Sequence, residues 1–160
     1  MSLLKKMRGF TLIELMITVV LLAIVATIAV PNFTQFIQNN QVQAKAEELK
    51  TFLQYARNEA LTRRKAYTVR INDTAWQLQT KGGVVVRTLE FNPAQAQART
   101  NAVNNSFIFS ASGDVSREIK VTVCRDQDNA TGYLLEVRRS GLIKMQARGQ
   151  DVPSQCAVST

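Results

Sequence analysis

The stretch that most constrains this chain runs from Phe10 to Val30. It is twenty-one residues long, holds one charged side chain, Glu14, and follows Lys5, Lys6 and Arg8. A helix of that length spans about 31 Å, close to the hydrocarbon thickness of a bilayer. The basic residues in front of it belong on the cytoplasmic side, so the chain after it would lie across the membrane. A cleaved secretory signal would have a shorter apolar core followed by a small-residue cleavage site. Here "ATIAVPNF" runs straight into polar helical sequence, which fits a retained anchor.

Glu14 stands where an ionised group is costly and needs a partner. No Lys or Arg lies inside the block, and Arg8 is six residues back. A free amine made by cutting the chain before Phe10 would serve. If that amine sat on a neighbouring subunit, it would neutralise the carboxylate and set register in an assembly.

The run "RGFTLIELMITVVLLAIVATIAVPNF" resembles the N-terminus of type IV pilins and pseudopilins. The resemblance implies cleavage after Gly9 by a prepilin peptidase, N-methylation of Phe10, and a role for Glu14 in assembly. It also implies an inner-membrane, single-pass protein with a periplasmic C-terminal domain that later enters a filament. Pro31 removes one helical hydrogen bond and crowds the carbonyl a turn earlier, so the helix should kink or loosen near Ala26–Val30. The resemblance implies melting of that segment in assembled pili; a simple kink at the membrane exit is the other reading.

Beyond Pro31 the pattern stays helical to about Arg64. Val42, Ala46, Leu49, Leu53, Ala56 and Ala60 recur every three or four residues and form one apolar stripe, thickened by Phe52. Glu59 and Arg63 make an i,i+4 pair in the favourable order. From Lys65 the period changes. "KAYTVRI", "TAWQLQT", "VVVRTLEF", "SFIFS", "EIKVTVC", "YLLEVRR" and "LIKMQ" read as short strands separated by "KGG", "SGD", "DNATG" and "SG" turns. Asn92–Asn105 is polar and aperiodic and reads as a long surface loop; Trp76 reads as core. The expected fold class is α+β, type IV pilin-like: one long N-terminal helix, its first half transmembrane, packed on a C-terminal antiparallel β-domain of about seven strands. The segments are a leader at 1–9, an anchor and assembly helix at 10–31, an amphipathic helix at 32–64 and a β-domain at 65–160.

The helix end "AEELKTFLQYARNEALTRRKAYTV" adds a resemblance to the FimT/FimU branch of type IV pilus minor pilins, related to minor pseudopilin H of type II secretion. It carries that branch's Leu-x-x-Ala-Arg-x-Glu-Ala pattern at Leu53–Ala60. Arg57 and Glu59 within it could be a buried pair or ordinary surface charges. The branch implies a structural or priming subunit, with other minor pilins and the major pilin as partners and roles in twitching motility, adhesion or natural transformation. A pseudopilin of type II secretion is the alternative.

Cys124 and Cys156 are the two cysteines. In a periplasmic domain a disulfide is their natural state, tying the C-terminal tail to the sheet; two free thiols are the alternative. A Cys-x-x-Cys redox motif is absent. The chain has no histidine, which removes the commonest general base and metal ligand, and no Ser–Lys motif replaces it. The chain therefore reads as a substrate of the peptidase and not as an enzyme, with no cofactor. Asp126 and Asp128 suggest a calcium loop, but Thr131 and Val137 stand where Gly and Glu would be needed. No metal site is expected.

Net charge is +8, and without the three leader cations 17 basic residues face 12 acidic ones. Arg138, Arg139, Lys144 and Arg148 cluster around a turn at Ser140–Gly141 and could contact phosphates. Some FimT-type minor pilins bind DNA through Gly-Arg-x-Arg near the C-terminus. Here the aligned residues are Gly141-Leu142-Ile143-Lys144, which keep one charge and lose the bidentate fork. DNA is thus a candidate partner of these four residues. A solvated basic face, or one that docks on an acidic neighbour, is the competing reading.

Overall fold

The computed structural model describes residues 10–72 and 74–158. The chain forms two compact units, Met1–Ile37 and Gln38–Thr160. Helix α1, Leu12–Arg63, runs through both and ends one residue before the expected Arg64. Leader residues 1–9, including Gly9, lie outside the described residues.

In the first unit every large apolar side chain from Phe10 to Ile37 is exposed. The threonine hydroxyls turn back onto the helix: Thr18 donates to Leu15 O at 2.8 Å and Thr27 to Ile24 O at 2.7 Å. Satisfied in this way, they can enter apolar surroundings without an orphan donor. The loosening expected at Ala26–Val30 is not seen, for the helix continues through Pro31 without interruption. Proline deletes one bond, but side chains just beyond it add others. Asn32 donates to Ile28 O at 3.1 Å and Thr34 to Val30 O at 3.0 Å.

In the second unit α1 buries the stripe read from the sequence: Val42, Ala46, Leu49, Phe52, Leu53, Ala56 and Ala60. The helix closes in a Schellman motif, with Lys65 N–H donating to Ala60 O and Arg64 N–H to Leu61 O. Arg64 takes the left-handed position at φ 51°, where glycine is more usual.

Among the described residues eight strands follow: β1 Tyr67–Ile71, β2 Ala75–Thr80, β3 Val85–Glu90, β4 Gln97–Thr100, β5 Ser106–Phe109, β6 Ile119–Cys124, β7 Tyr133–Val137 and β8 Ile143–Met145. They form two antiparallel sheets, β3-β2-β1-β5 and β4-β6-β7-β8, where the sequence suggested one. Val115 links them: it bridges to Phe109, and its N–H donates to Arg139 O at 3.0 Å.

The expected loop at Asn92–Asn105 contains the eighth strand. "QART" has no apolar alternation, yet its backbone pairs with β6, from Gln97 opposite Cys124 to Thr100 opposite Val121. An edge strand with solvated side chains leaves no period-2 signature. The neighbouring Ala96 and Ala102 are buried, anchoring both ends.

One main core joins the helix stripe to Val69, Trp76, Leu78, Phe109, Ile119, Val121 and Leu135 from the two sheets. A smaller cluster of Cys124, Leu134, Val152 and Cys156 seats the C-terminal tail.

Candidate assembly and interaction sites

Phe10 and Thr11 precede the first helical residue. Thr11 is the N-cap: its hydroxyl oxygen accepts the Glu14 backbone N–H at 3.3 Å. Thr-x-x-Glu is the capping-box spacing, so Glu14 occupies the third helical position. A carboxylate there is also favoured by the positive end of the helix dipole. The sequence reading centred on Glu14 misses this local role of Thr11, which the Thr-x-x-Glu spacing signals. Glu14 is exposed, and it is the only charged residue between Phe10 and Ala44. Pro31 is also exposed, seven residues or about two turns before the second unit begins.

Arg57 and Glu59 do not pair with each other. Glu59 bonds Arg63, as its spacing implied, and both the hydrogen bond and the charge of Glu59 hold the Arg63 guanidinium above its ordinary pKa. Arg57 reaches the other way. Its Nε donates to Gly113 O at 3.2 Å and its Nη2 to Ser140 O at 3.2 Å. It thereby ties α1 to the turn before Val115 and to the β7–β8 turn. Gly141, at φ 76°, closes this junction; a Cβ on it would stand 1.7 Å from Gly113 O. Asp114 holds the adjacent turn, accepting from the hydroxyls of Ser110 and Ser112. The Ser110 bond, then the Ser112 bond, then its own backbone amide push the Asp114 carboxyl below its ordinary range.

The four basic residues are exposed, and none joins an ion pair among the described residues. They do not form one cluster. Arg138 and Arg139 sit at the β7–β8 turn, which closes with Arg138 N–H on Leu142 O and Gly141 N–H on Arg138 O. Lys144 lies on β8 opposite Glu136, so its field is partly offset. Arg148 follows β8, where Gly149 N–H donates to Gly132 O ahead of β7. It therefore stands at the opposite end of the hairpin. Sequence proximity through a turn had suggested convergence; the antiparallel pairing separates the residues.

Cys124 and Cys156 form a disulfide with Cα atoms 6.4 Å apart, closing a separation of 32 residues. Thr122, fully buried, donates to Cys156 O at 2.8 Å and fixes the same tail. Among the described residues no group of His, Cys, Asp and Glu could hold a metal ion.

The family described as type II transport protein GspH matches residues 45–141, more than half of the chain. This chain belongs to the GspH family. A prokaryotic N-terminal methylation motif matches residues 4–30, placing the GspH-family domain behind a pilin-type N-terminus. Over 46 residues the chain is 54% identical to the type IV major pilin protein PilA of Myxococcus xanthus DK1622. That stretch covers 29% of this chain and 19% of PilA. Two crystal structures of the type IV minor pilin FimU of Pseudomonas aeruginosa PAO1 share the fold, with TM-scores of 0.66 and 0.62 at 24% and 22% identity. They cover 76% and 72% of this chain, and each match covers 99% of the FimU chain. The GspH-family chain thus has the type IV pilin fold of these FimU structures. The first part of α1, which overlaps the methylation motif, is long and apolar enough to cross a membrane.

Proposed function

We propose that this GspH-family chain is a minor pilin, a structural or priming subunit for assembling type IV pili. The observation that carries the reading is Glu14, one carboxylate in the first turn of a helix whose large apolar side chains are all exposed up to Ile37. A prepilin peptidase cuts after Gly9, and Phe10 becomes the methylated N-terminus. Glu14 then takes a neighbour's terminal amine, while exposed apolar helices bury against one another and, after Pro31, against the other pilins of the filament. The helix holds the subunit in the inner membrane until then. The disulfide requires an oxidising compartment, which supports a periplasmic β-domain.

Two measurements test this. Mass spectrometry of the purified protein should find N-methylphenylalanine from Phe10 at its start. Glu14→Ala should be expressed at the membrane but absent from sheared pili by immunoblot. Normal incorporation of that variant would overturn the role given to Glu14.

A second reading, a minor pseudopilin of type II secretion, is favoured by the family match over 45–141. Deletion of the gene discriminates: loss of surface pili supports the first reading, and loss of exported proteins from the medium supports the second. The exposed Arg138, Arg139 and Lys144 keep DNA as a third partner class. Titration with duplex DNA should show binding that weakens with salt and disappears in the triple alanine variant; absence of binding at low salt removes it.

A further inference from the structure

The C-terminal end of α1 and the β2–β3 turn bring cations together from distant parts of the sequence. The Tyr67–Thr80 pairing sets Lys81 beside the helix end. Arg63, Lys65 and Lys81 line a cleft of about 520 Å³ whose wall is Ala66 and Tyr67, with Thr80 and Gly82. Arg64 is exposed next to it. Basic residues at a helix C-terminus answer the helix dipole, but Lys81 comes from another element and has no such reason to be there. Glu59 is the one carboxylate bonded to this group among the described residues, and it is occupied with Arg63.

The cleft adjoins an unusual edge. The turn closes with Thr80 N–H on Val84 O, and three successive valines follow, Val84, Val85 and Val86, at 65%, 47% and 36% exposure. Gln79 pairs with Val85 while Leu78 pairs with Arg87, so Val86 is the extra residue of a bulge. The bulge bends the strand and leaves neighbouring side chains outside the core. From Arg87 onward β3 is fastened to α1: Arg87, next to Val86, lies 4.7 Å from the Tyr55 ring centroid, and Lys45 donates to Glu90 O. Among the described residues Val84, Val85 and Val86 have no such tie and stay exposed.

The other three sheet edges are shielded. β8 is three residues long and carries Lys144. β5 is bridged by Val115. β4 has Arg99, whose guanidinium reaches Gln155 O in the C-terminal tail. Short length, edge lysine and cover blunt the other three edges; among the described residues the start of β3 has only the bulge at Val86, which leaves its valines exposed.

We propose that the valine edge of β3 and the adjoining Lys65–Lys81 cleft form one docking surface for an extended, acidic, β-branched segment of another polypeptide. The segment lies along the outer edge of β3, sets its apolar side chains against Val84–Val86, and presents carboxylates to Lys65 and Lys81. The cations gather around a concave pocket with an apolar wall instead of lying along a stripe. That arrangement favours a peptide over a phosphate backbone.

The test uses the full chain in detergent micelles and fluorescein-labelled probes followed by anisotropy: a decapeptide alternating valine and glutamate, its valine–lysine counterpart, and single-stranded DNA. The valine–glutamate peptide should bind at least tenfold more tightly than the valine–lysine one. Lys65→Glu/Lys81→Glu and Val84→Lys/Val86→Lys should each weaken it at least tenfold, and Arg138→Ala/Arg139→Ala should not. Hydrogen exchange on the unaltered protein gives an independent measure, since peptide should slow the amides of Val84–Val86. Equal binding of both peptides, an unchanged affinity in the lysine variant, or no protection at Val84–Val86 overturns the proposal. So does DNA that needs Lys65 and Lys81 and is not displaced by the acidic peptide.

Discussion

The first and second parts of α1 are one helix under two different sets of constraints. From Phe10 to Ile37 apolar side chains cover every face and all are exposed. From Gln38 to Arg63 they narrow to a stripe, and the stripe is buried by the two sheets of the same chain. A helix apolar all round cannot be satisfied by one wall; it needs lipid or other helices on every side. A striped helix needs one wall and finds it at home. Polar groups divide in the same way. Threonines in the first part bond their own helix, and Glu14 is left for something outside the chain. In the second part Arg57 finds two carbonyls within the fold.

The contrast can be broken by matched truncations. Phe52→Ala should destabilise the domain by about 3–5 kcal/mol, in urea unfolding followed by Trp76 fluorescence. Leu21→Ala on the same helix should leave that midpoint unchanged. Equal effects would mean that the two parts share one cooperative core. Next in size is the covalent closure of the tail. Cys124→Ser/Cys156→Ser should cost about 3–4 kcal/mol in the same assay, for a loop of this separation. Glu14→Gln should cost the domain nothing measurable there.

Gly141→Ala tests the Arg57 junction. Its Cβ would overlap Gly113 O, and φ is positive, so a loss of about 2–3 kcal/mol is expected. The smallest effect is at Asp114. Its carboxyl is held below the ordinary value of 3.8, so its contribution is complete above about pH 4 and fades as pH falls through the folded-state value. Asp114→Asn should flatten that acid-side decline and leave the neutral-pH comparison of the two helix parts untouched.

Much of this is legible in the sequence. The stripe at Val42–Ala60, seven of the strands, the Glu59–Arg63 pair and the burial of Trp76 follow from local periodicity and spacing. β4 was hidden because an exposed edge strand is defined by its partner's backbone and not by its own side chains. Arg57 was ambiguous because its acceptors are carbonyls 56 and 83 residues away, which no local pattern encodes. Arg148 is near Arg138 in sequence, but the β7–β8 hairpin lies between them and puts them at opposite ends. The capping role of Thr11 was visible as Thr-x-x-Glu beside a more conspicuous carboxylate.

What the sequence determined by itself is whatever depends on neighbours within a turn or two. That includes the apolar anchor, the isolated Glu14, the buried stripe and the change of period at Lys65. Local sterics and the period of side chains act at that range, so the residues involved are consecutive or nearly so. The tertiary structure alone decided the division into two sheets, the Val115 link between them, the Arg57 tether, and the meeting of Lys81 with the helix end. Each of these rests on backbone groups that every residue carries alike, or on charges that become neighbours only after strands pair. No side-chain pattern announces such contacts, and the free energy that selects them is shared across the whole core.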